Sequence, residues 1–370
     1  MLKVLYLSLF PDLTRGGQNS LLLLLKALDK ERIKAGVVTP GDGNLDEAIQ
    51  ALGIDTFHME WPHFRKGNPY RIGKAVLVLK KIIKDFKPDI IHTDSPRNTH
   101  LASLVKGNIK LLCHLRVSTP DGFSDRVLAS ETDGMIAVSK GVYERFRRYP
   151  EEVTEKIRII TNAVEVEKFR VFDEVEIKKV REEYKYSNSD KIVVFMGAND
   201  PVKRHPFFMD LWPEVVSQNN NARLILLGRD TEKIVEEFKN EISDPEVINS
   251  VKSLSYIENP QDVIPAFDLL VLPSEMEGFP RVLIEAAASG LPVIASDATG
   301  VREGVIHGKT GYAIDPIAKE KWSESILDLL GDDEKRKKYG QAGREWVVSE
   351  FSAQNHAERI MDFYDDLIMK

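Results

Sequence analysis

One cysteine, Cys113, stands among 370 residues. A single thiol excludes a disulfide framework and fits a reducing compartment. No apolar run approaches the roughly 20 residues that a membrane-spanning helix requires. The longest candidate, Leu21 to Leu25, is far too short. The N-terminus runs directly into a strand-like segment, Lys3 to Leu7, without a signal-peptide layout. A cytoplasmic location is therefore expected. Also lacking are an Asp-x-Asp pair on a loop, His/Cys spacing suited to a metal, a Gly-x-Ser-x-Gly elbow, internal repeats and low-complexity segments. No metal site is expected, and no nucleic acid as partner.

The chain is too long for one ordinary hydrophobic core, so two domains are the natural reading. With 42% hydrophobic and 29% charged residues it has the composition of a globular protein. The net charge of −7 divides unevenly: residues 1–165 hold 25 Lys+Arg against 20 Asp+Glu, and the remainder 26 against 38. A basic half beside an acidic half raises two readings. Either the first half meets something anionic, such as a phospholipid surface or a phosphorylated acceptor, or the surface is merely uneven.

Short apolar β-branched runs alternate with amphipathic stretches, the pattern of parallel sheets covered by helices on both faces. Strands are expected at 3–9, 35–39, 55–59, 90–93, 111–117, 135–139 and 158–161, with helices at 17–28, 69–86, 96–105 and 140–148. The alternation restarts with strands at 192–197, 223–228, 251–255, 269–273 and 292–296. Domains are placed at 1–165 and 166–350, with a terminal helix in 351–370 and a helical tail throughout from Ser323. In such sheets ligands bind at the carboxyl ends of the strands.

Residues 273–297 run from one buried-looking strand through a polar loop and a helix into another strand. Pro280 suits the first helical position, where its missing N–H has no intrahelical use, and Gly290 suits the turn after the last. A helix opening at the carboxyl edge of a sheet aims free N–H groups outward, an anion site to which Arg281 and Val282 contribute amides. Glu277 lies just before the helix and Glu285 more than a turn inside. Two carboxylates around a phosphate site suit a ligand rich in hydroxyls. Ordinary helix-end chemistry explains Glu277 alone, but not the whole segment.

This segment resembles the E-x7-E signature of the retaining glycosyltransferases of family 4, with Glu277 and Glu285 as its two glutamates. Gly-Leu-Pro-Val-Ile-Ala-Ser-Asp at 290–297 and Gly-Lys-Thr-Gly-Tyr at 308–312 are also similar to the family. The resemblance implies a GT-B fold: two facing Rossmann-like, doubly wound α/β domains, with a C-terminal helix returning toward the N-terminal one. The N-terminal domain would bind the acceptor and the C-terminal domain the nucleotide sugar. The implied activity is transfer of a hexose-type sugar, with retention, to a glycan or lipid-linked acceptor. A nucleotide diphosphate sugar serves as co-substrate, and no other cofactor is implied. Pro280 and Arg281 depart from the commonest form, which has a glycine and an apolar residue and so offers one more amide.

Further positions are similar to the family's elements. Lys203 and Arg204, after the first strand of the second half, match a basic loop that neutralises the donor diphosphate, although Ala198 stands where an arginine is usual. Gly16-Gly17, within Thr14-Arg15-Gly16-Gly17-Gln18, resemble a glycine loop closing over the phosphates, or else form a simple turn. His114, near the end of a core strand, matches a histidine close to the donor sugar; a satisfied core histidine is the plainer alternative. His92 resembles an architectural position, and Asn162 to Phe169 a hinge. The resemblance thus makes Glu277 and His114 the catalytic candidates. Donor binding falls to Gly17, Lys203, Arg204, Gly278, Phe279, Arg281, Val282 and Glu285. The helix at 69–86 carries Lys74, Lys80, Lys81 and Lys84. Either it lies on the inner face of a membrane, giving a peripheral enzyme, or it packs its apolar stripe on its own sheet. Two rival functions stay open: a non-catalytic nucleotide-sugar-binding relative or partner subunit, and a sugar-nucleotide epimerase on the same fold.

Overall fold

The computed structural model describes residues 1–14, 16–62 and 68–369. It divides into two compact units, Met1–Ala163 with Ala353–Lys370, and Val164–Ser352.

The first unit is built on seven strands: β1 (Leu2–Leu7), β2 (Ile33–Thr39), β3 (Asp55–His58), β4 (Ile90–Thr93), β5 (Lys110–Leu115), β6 (Gly134–Ala137) and β7 (Ile157–Ile159). Their order is β3-β2-β1-β4-β5-β6-β7, and every pair is parallel. Val4, Leu5, Tyr6 and Leu7 are all buried, because a parallel strand is covered on both faces and needs a continuous apolar run. One face packs Leu21, Leu24 and Leu25 with Ile360, Met361 and Tyr364, which builds the terminal helix Ala353–Met369 into this core. The other packs Leu79, Ile82 and Phe86 against Leu5 and Ile91. Helix Pro69–Phe86 thus turns its apolar stripe onto its own sheet, leaving Lys74, Lys80, Lys81 and Lys84 exposed.

The second unit holds β8 (Lys191–Met196), β9 (Ala222–Leu227), β10 (Val251–Ser255), β11 (Leu269–Leu272), β12 (Val293–Ser296) and β13 (Gly311–Ile314). The order β10-β9-β8-β11-β12-β13 is again parallel throughout. Both units are therefore doubly wound α/β sheets. Their strand order reverses between β1 and β4 in the first and between β8 and β11 in the second. Crevices for ligands lie at the carboxyl ends of such reversals.

Three local expectations are corrected. Pro280 is the N-cap, with extended backbone, and the helix spans Arg281–Ala288. The tail is three helices, Lys319–Gly331, Asp333–Glu350 and Ala353–Met369. Its first break falls at Asp332, whose carboxylate accepts from Lys335 N at 2.9 Å and so starts a new helix. Strand β13 was not anticipated: Gly311-Tyr-Ala-Ile is four residues long and only partly buried, too short to show a period.

Candidate functional site

In the second unit, loops after β8, β11 and β12 meet at the reversal point. Glu275 N donates to Val202 O at 2.9 Å and Glu277 N to Thr299 O at 3.1 Å, tying the three loops together. A side chain at Gly300 would come within 2.1 Å of Glu277 O, and the φ of +74° there suits only glycine well. Lys203 lies across Gly197 and brings Nζ to 2.5 Å from Glu277 Oε1. Both side chains are about four-fifths buried, being 20% and 19% exposed. Of the candidates, Lys203, Glu277 and Gly278 thus converge on one place.

Helix Arg281–Ala288 begins beside them, and its N-cap, Pro280, offers no side-chain bond to the first turn. The amides of Arg281 and Val282 have no intrahelical acceptor, so the helix presents an uncapped positive end. Arg281 Nη2 turns back to Glu285 Oε1 at 2.9 Å, and Glu285 is buried. Phe279 stacks on Phe351 with ring centroids 5.5 Å apart, so its side chain belongs to the core. Arg204 is held away from the lysine: its guanidinium donates to Pro316 O and lies 4.2 Å over the Phe207 ring. Ser274 and Ser296, fully buried just after β11 and at the end of β12, have hydroxyls without a partner among the described residues. The sequence signalled them only as polar residues interrupting apolar strand ends.

In the first unit, Asp94 sits at the carboxyl end of β4 and gathers four donors. These are Asn98 Nδ2 at 2.7 Å, Gln18 Nε2 at 3.1 Å, Leu9 N at 3.2 Å and Ser8 Oγ at 3.3 Å. Through Gln18 this carboxylate anchors the start of helix Gly16–Ala27, in which Gly17 lies against Arg116. Arg15 of the glycine motif lies outside the described residues. Arg116 donates to Asn162 Oδ1 at 3.2 Å and, at 3.5 Å, weakly to His114 Nδ1. A guanidinium has no acceptor, so Nδ1 must be the accepting nitrogen and the ring proton sits on Nε2. His114 Nε2 is buried and has no hydrogen-bond partner among the described residues. Burial, then the charge of Arg116, holds the pKa of this ring well below the ordinary histidine value, so it is neutral. His92 stacks beside it and passes its Nδ1 bond to Tyr364 Oη at 2.6 Å, the architectural use expected. Arg116 is a partner that the sequence left without a role, and Asn162 was read there only as the start of a hinge.

Residues 176–346 match the family described as "Glycosyl transferases group 1", and residues 14–168 match "Glycosyltransferase Family 4". The two matches fall one on each sheet. The chain belongs to the group 1, family 4 glycosyltransferases. Among related family members, the capsular polysaccharide biosynthesis glycosyltransferase CapM of Staphylococcus aureus is 23% identical over 316 residues, covering 80% of this chain and 81% of CapM. N-acetyl-alpha-D-glucosaminyl L-malate synthase of Bacillus anthracis is 28% identical over 54% of this chain, and the match spans about half (51%) of that enzyme. Among solved structures, a Rickettsia africae glycosyltransferase superposes with a TM-score of 0.86 at 20% identity, covering 99% of this chain and 98% of that one. HepE of Anabaena, solved with UDP and glucose, superposes with a TM-score of 0.82 at 20% identity, covering 99% and 100%. At these identities the structural likeness establishes the GT-B fold alone. For this glycosyltransferase, no group of three or more His, Cys, Asp or Glu able to hold a metal occurs among the described residues. Nor, among those residues, is any helix long and apolar enough to cross a membrane.

Proposed function

We propose that this glycosyltransferase moves a hexose, with retention of configuration, from a nucleoside diphosphate sugar to a glycan or lipid-linked acceptor. The observation that carries this reading is the Lys203–Glu277 pair at the strand-order reversal, beside an uncapped helix end. A lysine and free helix amides suit a diphosphate, whose negative charge grows as the sugar departs; donors already in place stabilise it without rearrangement. Basic groups and helix amides suffice for this compensation, so no metal is required. Glu277 and the Gly278–Phe279 backbone hold sugar hydroxyls, and Glu285, steadied by Arg281, accepts from the ribose. His114, neutral with its proton on Nε2, donates to a sugar oxygen. No side chain is assigned as a covalent nucleophile; the acceptor attacks on the face the leaving group vacates, and the leaving phosphate takes its proton. The enzyme works in the cytoplasm. With the apolar stripe of helix Pro69–Phe86 packed on its own sheet, any membrane contact rests on the exposed lysines.

HepE binds UDP and glucose, which makes UDP the first ligand to try. Calorimetric titration with UDP, without metal, is expected to give binding in the native protein, strong loss in Lys203→Ala and retained binding in Glu277→Ala. UDP release from a UDP-sugar with acceptor present should vanish in Glu277→Ala. Full turnover in that variant would remove Glu277 from the mechanism. A non-catalytic relative is the second reading, since Ala198 lacks the usual arginine and Arg204 is bound to Pro316. It requires UDP binding with no turnover on any acceptor.

A further inference from the structure

His114, near the end of β5, lies among other rings of the first unit. His92 of β4 stacks on it with centroids 5.5 Å apart and planes 19° apart. His356 of the terminal helix lies at 6.4 Å and 32°. Both neighbours use their own Nδ1 elsewhere: His92 bonds to Tyr364 Oη at 2.6 Å, and His356 donates to Thr161 O at 2.8 Å. Such packing fixes the plane of the His114 ring, but not which nitrogen carries the proton.

Arg116 decides that. Its Nη2 lies 3.5 Å from His114 Nδ1, while its Nη1 donates to Asn162 Oδ1 at 3.2 Å. The same Asn162 oxygen accepts from Ser20 Oγ at 3.4 Å. The stem of Arg116 lies against Gly17, where an added Cβ would meet its Cδ at 3.5 Å. The guanidinium is thus steadied by helix Gly16–Ala27 and by the segment after β7. It only donates, and it is always charged. A proton on His114 Nδ1 would set two N–H groups against each other, and in the imidazolium two positive charges as well. Burial, then the charge of Arg116, then the His92 and His356 rings act against the charged form of His114. Just after β4, burial raises the pKa of Asp94, and its hydrogen bonds and the charge of Arg116 oppose that rise. What remains for His114 is the neutral ring with its N–H at Nε2, the buried atom without a partner among the described residues.

We propose that Arg116 is a positioning residue for transfer: it locks His114 as a hydrogen-bond donor, so that the sugar atom facing Nε2 is one that accepts. The effect on the sugar rests on the transferase reading, but the lock itself can be read without a ligand. Histidine-selective nitrogen-15 spectra of the full-length protein test it, with His114 assigned by the signal missing from His114→Gln. In the native protein Nδ1 should be bare and Nε2 protonated at every pH between about 5 and 8. Arg116→Gln can turn its carbonyl toward Nδ1, so its His114 should take a proton there; Arg116→Lys, which only donates, should keep the native form. Calorimetry then reads the consequence. UDP should bind Arg116→Gln within about twofold of native, whereas UDP-glucose should bind about two- to tenfold more weakly, the loss of one hydrogen bond. Arg116→Lys should restore most of that difference. A native ring that titrates in this range, or carries its proton on Nδ1, would overturn the proposal whether or not the variants fold. So would a glutamine variant with the native spectrum, or a lysine variant that behaves as the glutamine one does. Failure of UDP to bind the native protein, with the spectra as expected, would strike the donor assignment and leave the lock standing.

Discussion

The Lys203–Glu277 pair makes the donor site testable by opposite outcomes from its two members. In the free protein Lys203 Nζ lies 2.5 Å from Glu277 Oε1, with each side chain about one-fifth exposed. A charge-assisted hydrogen bond contributes about 1.5–3 kcal/mol. Removing the lysine from a bound diphosphate should therefore weaken nucleoside diphosphate binding about 10- to 150-fold, at 1.4 kcal/mol per tenfold. Glu277→Gln acts in the other direction on the same ligand. It keeps an oxygen for Lys203 Nζ but removes a negative charge beside the phosphates, so nucleoside diphosphate affinity should hold or rise. Transfer, by contrast, should fall about 100- to 1,000-fold, the usual loss when one preorganised group at a reacting centre is removed. Either change should cost the free protein about 1–2 kcal/mol, lowering Tm by a few degrees for a unit of this size. Calorimetry at low ionic strength without metal, followed by transfer kinetics, reads all three. Lys203→Ala binding within twofold of native, or Glu277→Gln losing affinity as Lys203→Ala does, would refute the assignment.

Three other outcomes follow from the same geometry. Gly17→Ala should raise stability by about 0.5–1 kcal/mol, because the glycine is inside a helix and a Cβ would meet only Arg116 at 3.5 Å; donor binding should nevertheless weaken if a phosphate approaches there, and unchanged binding and turnover would remove Gly17 from the site. Gly300→Ala should do the reverse, losing about 1–3 kcal/mol from its φ of +74°, with nucleotide binding falling as the Glu277 loop is displaced; a variant as stable as the native protein would show that the loops do not need this contact. Acid should destabilise the first unit. Burial lowers the pKa of His92 to about 3 and holds that of His114 well down, so the unfolded chain binds protons first as pH falls below about 6.5. Stability is then lost with falling pH at about 1.4 kcal/mol per unit for each ring. Urea unfolding from pH 6 to 5 should show a shallower slope in His114→Gln than in the native protein, and equal slopes would mean that the ring is charged or solvated in the fold.

Most strands were legible because they are continuous apolar runs; Ile90–Thr93 has the bounds read from sequence, and so does the edge strand Val251–Ser255, although only its Val251 is buried. The strand that escaped, Gly311–Ile314, is an edge strand with two of its four side chains only half-buried, so it carries neither an apolar run nor a clean alternation. The break at Asp332 was legible in principle, since an aspartate before Asp333-Glu334 is an N-terminal helix signal, but the charged residues around it hid the interruption. Around the candidate site, short-range order was readable and long-range pairing was not. Glu277 and Glu285 announce themselves by spacing within one loop and helix. The bond from Arg116 to Asn162 spans 46 residues, and that from Lys203 to Glu277 spans 74. No local pattern reports either, because folding, not sequence distance, brings them together.

The same comparison separates residues that the fold demands from residues that it leaves idle. Gly228, Gly300 and Gly311 each sit where an added Cβ would strike backbone at 1.8–2.2 Å, so internal packing alone accounts for them. Gly16 meets nothing within 4 Å and Gly17 only an ordinary contact, so packing accounts for neither. The orphaned His114 Nε2 and the hydroxyls of Ser274 and Ser296 belong to this second class: each is buried, and none contributes a bond to the fold. A buried polar atom without a partner costs about 1–3 kcal/mol. His114 lies at the carboxyl end of β5 in the first sheet, and Ser274 and Ser296 lie at those of β11 and β12 in the second, the edges where ligands bind in doubly wound folds. The stability they forgo is best explained by a ligand that completes them. Replacing Ser274 with alanine should therefore leave the empty protein as stable or more so, and its cost should appear only in ligand affinity. A loss of stability in the ligand-free variant would return Ser274 to the class of residues that the fold requires.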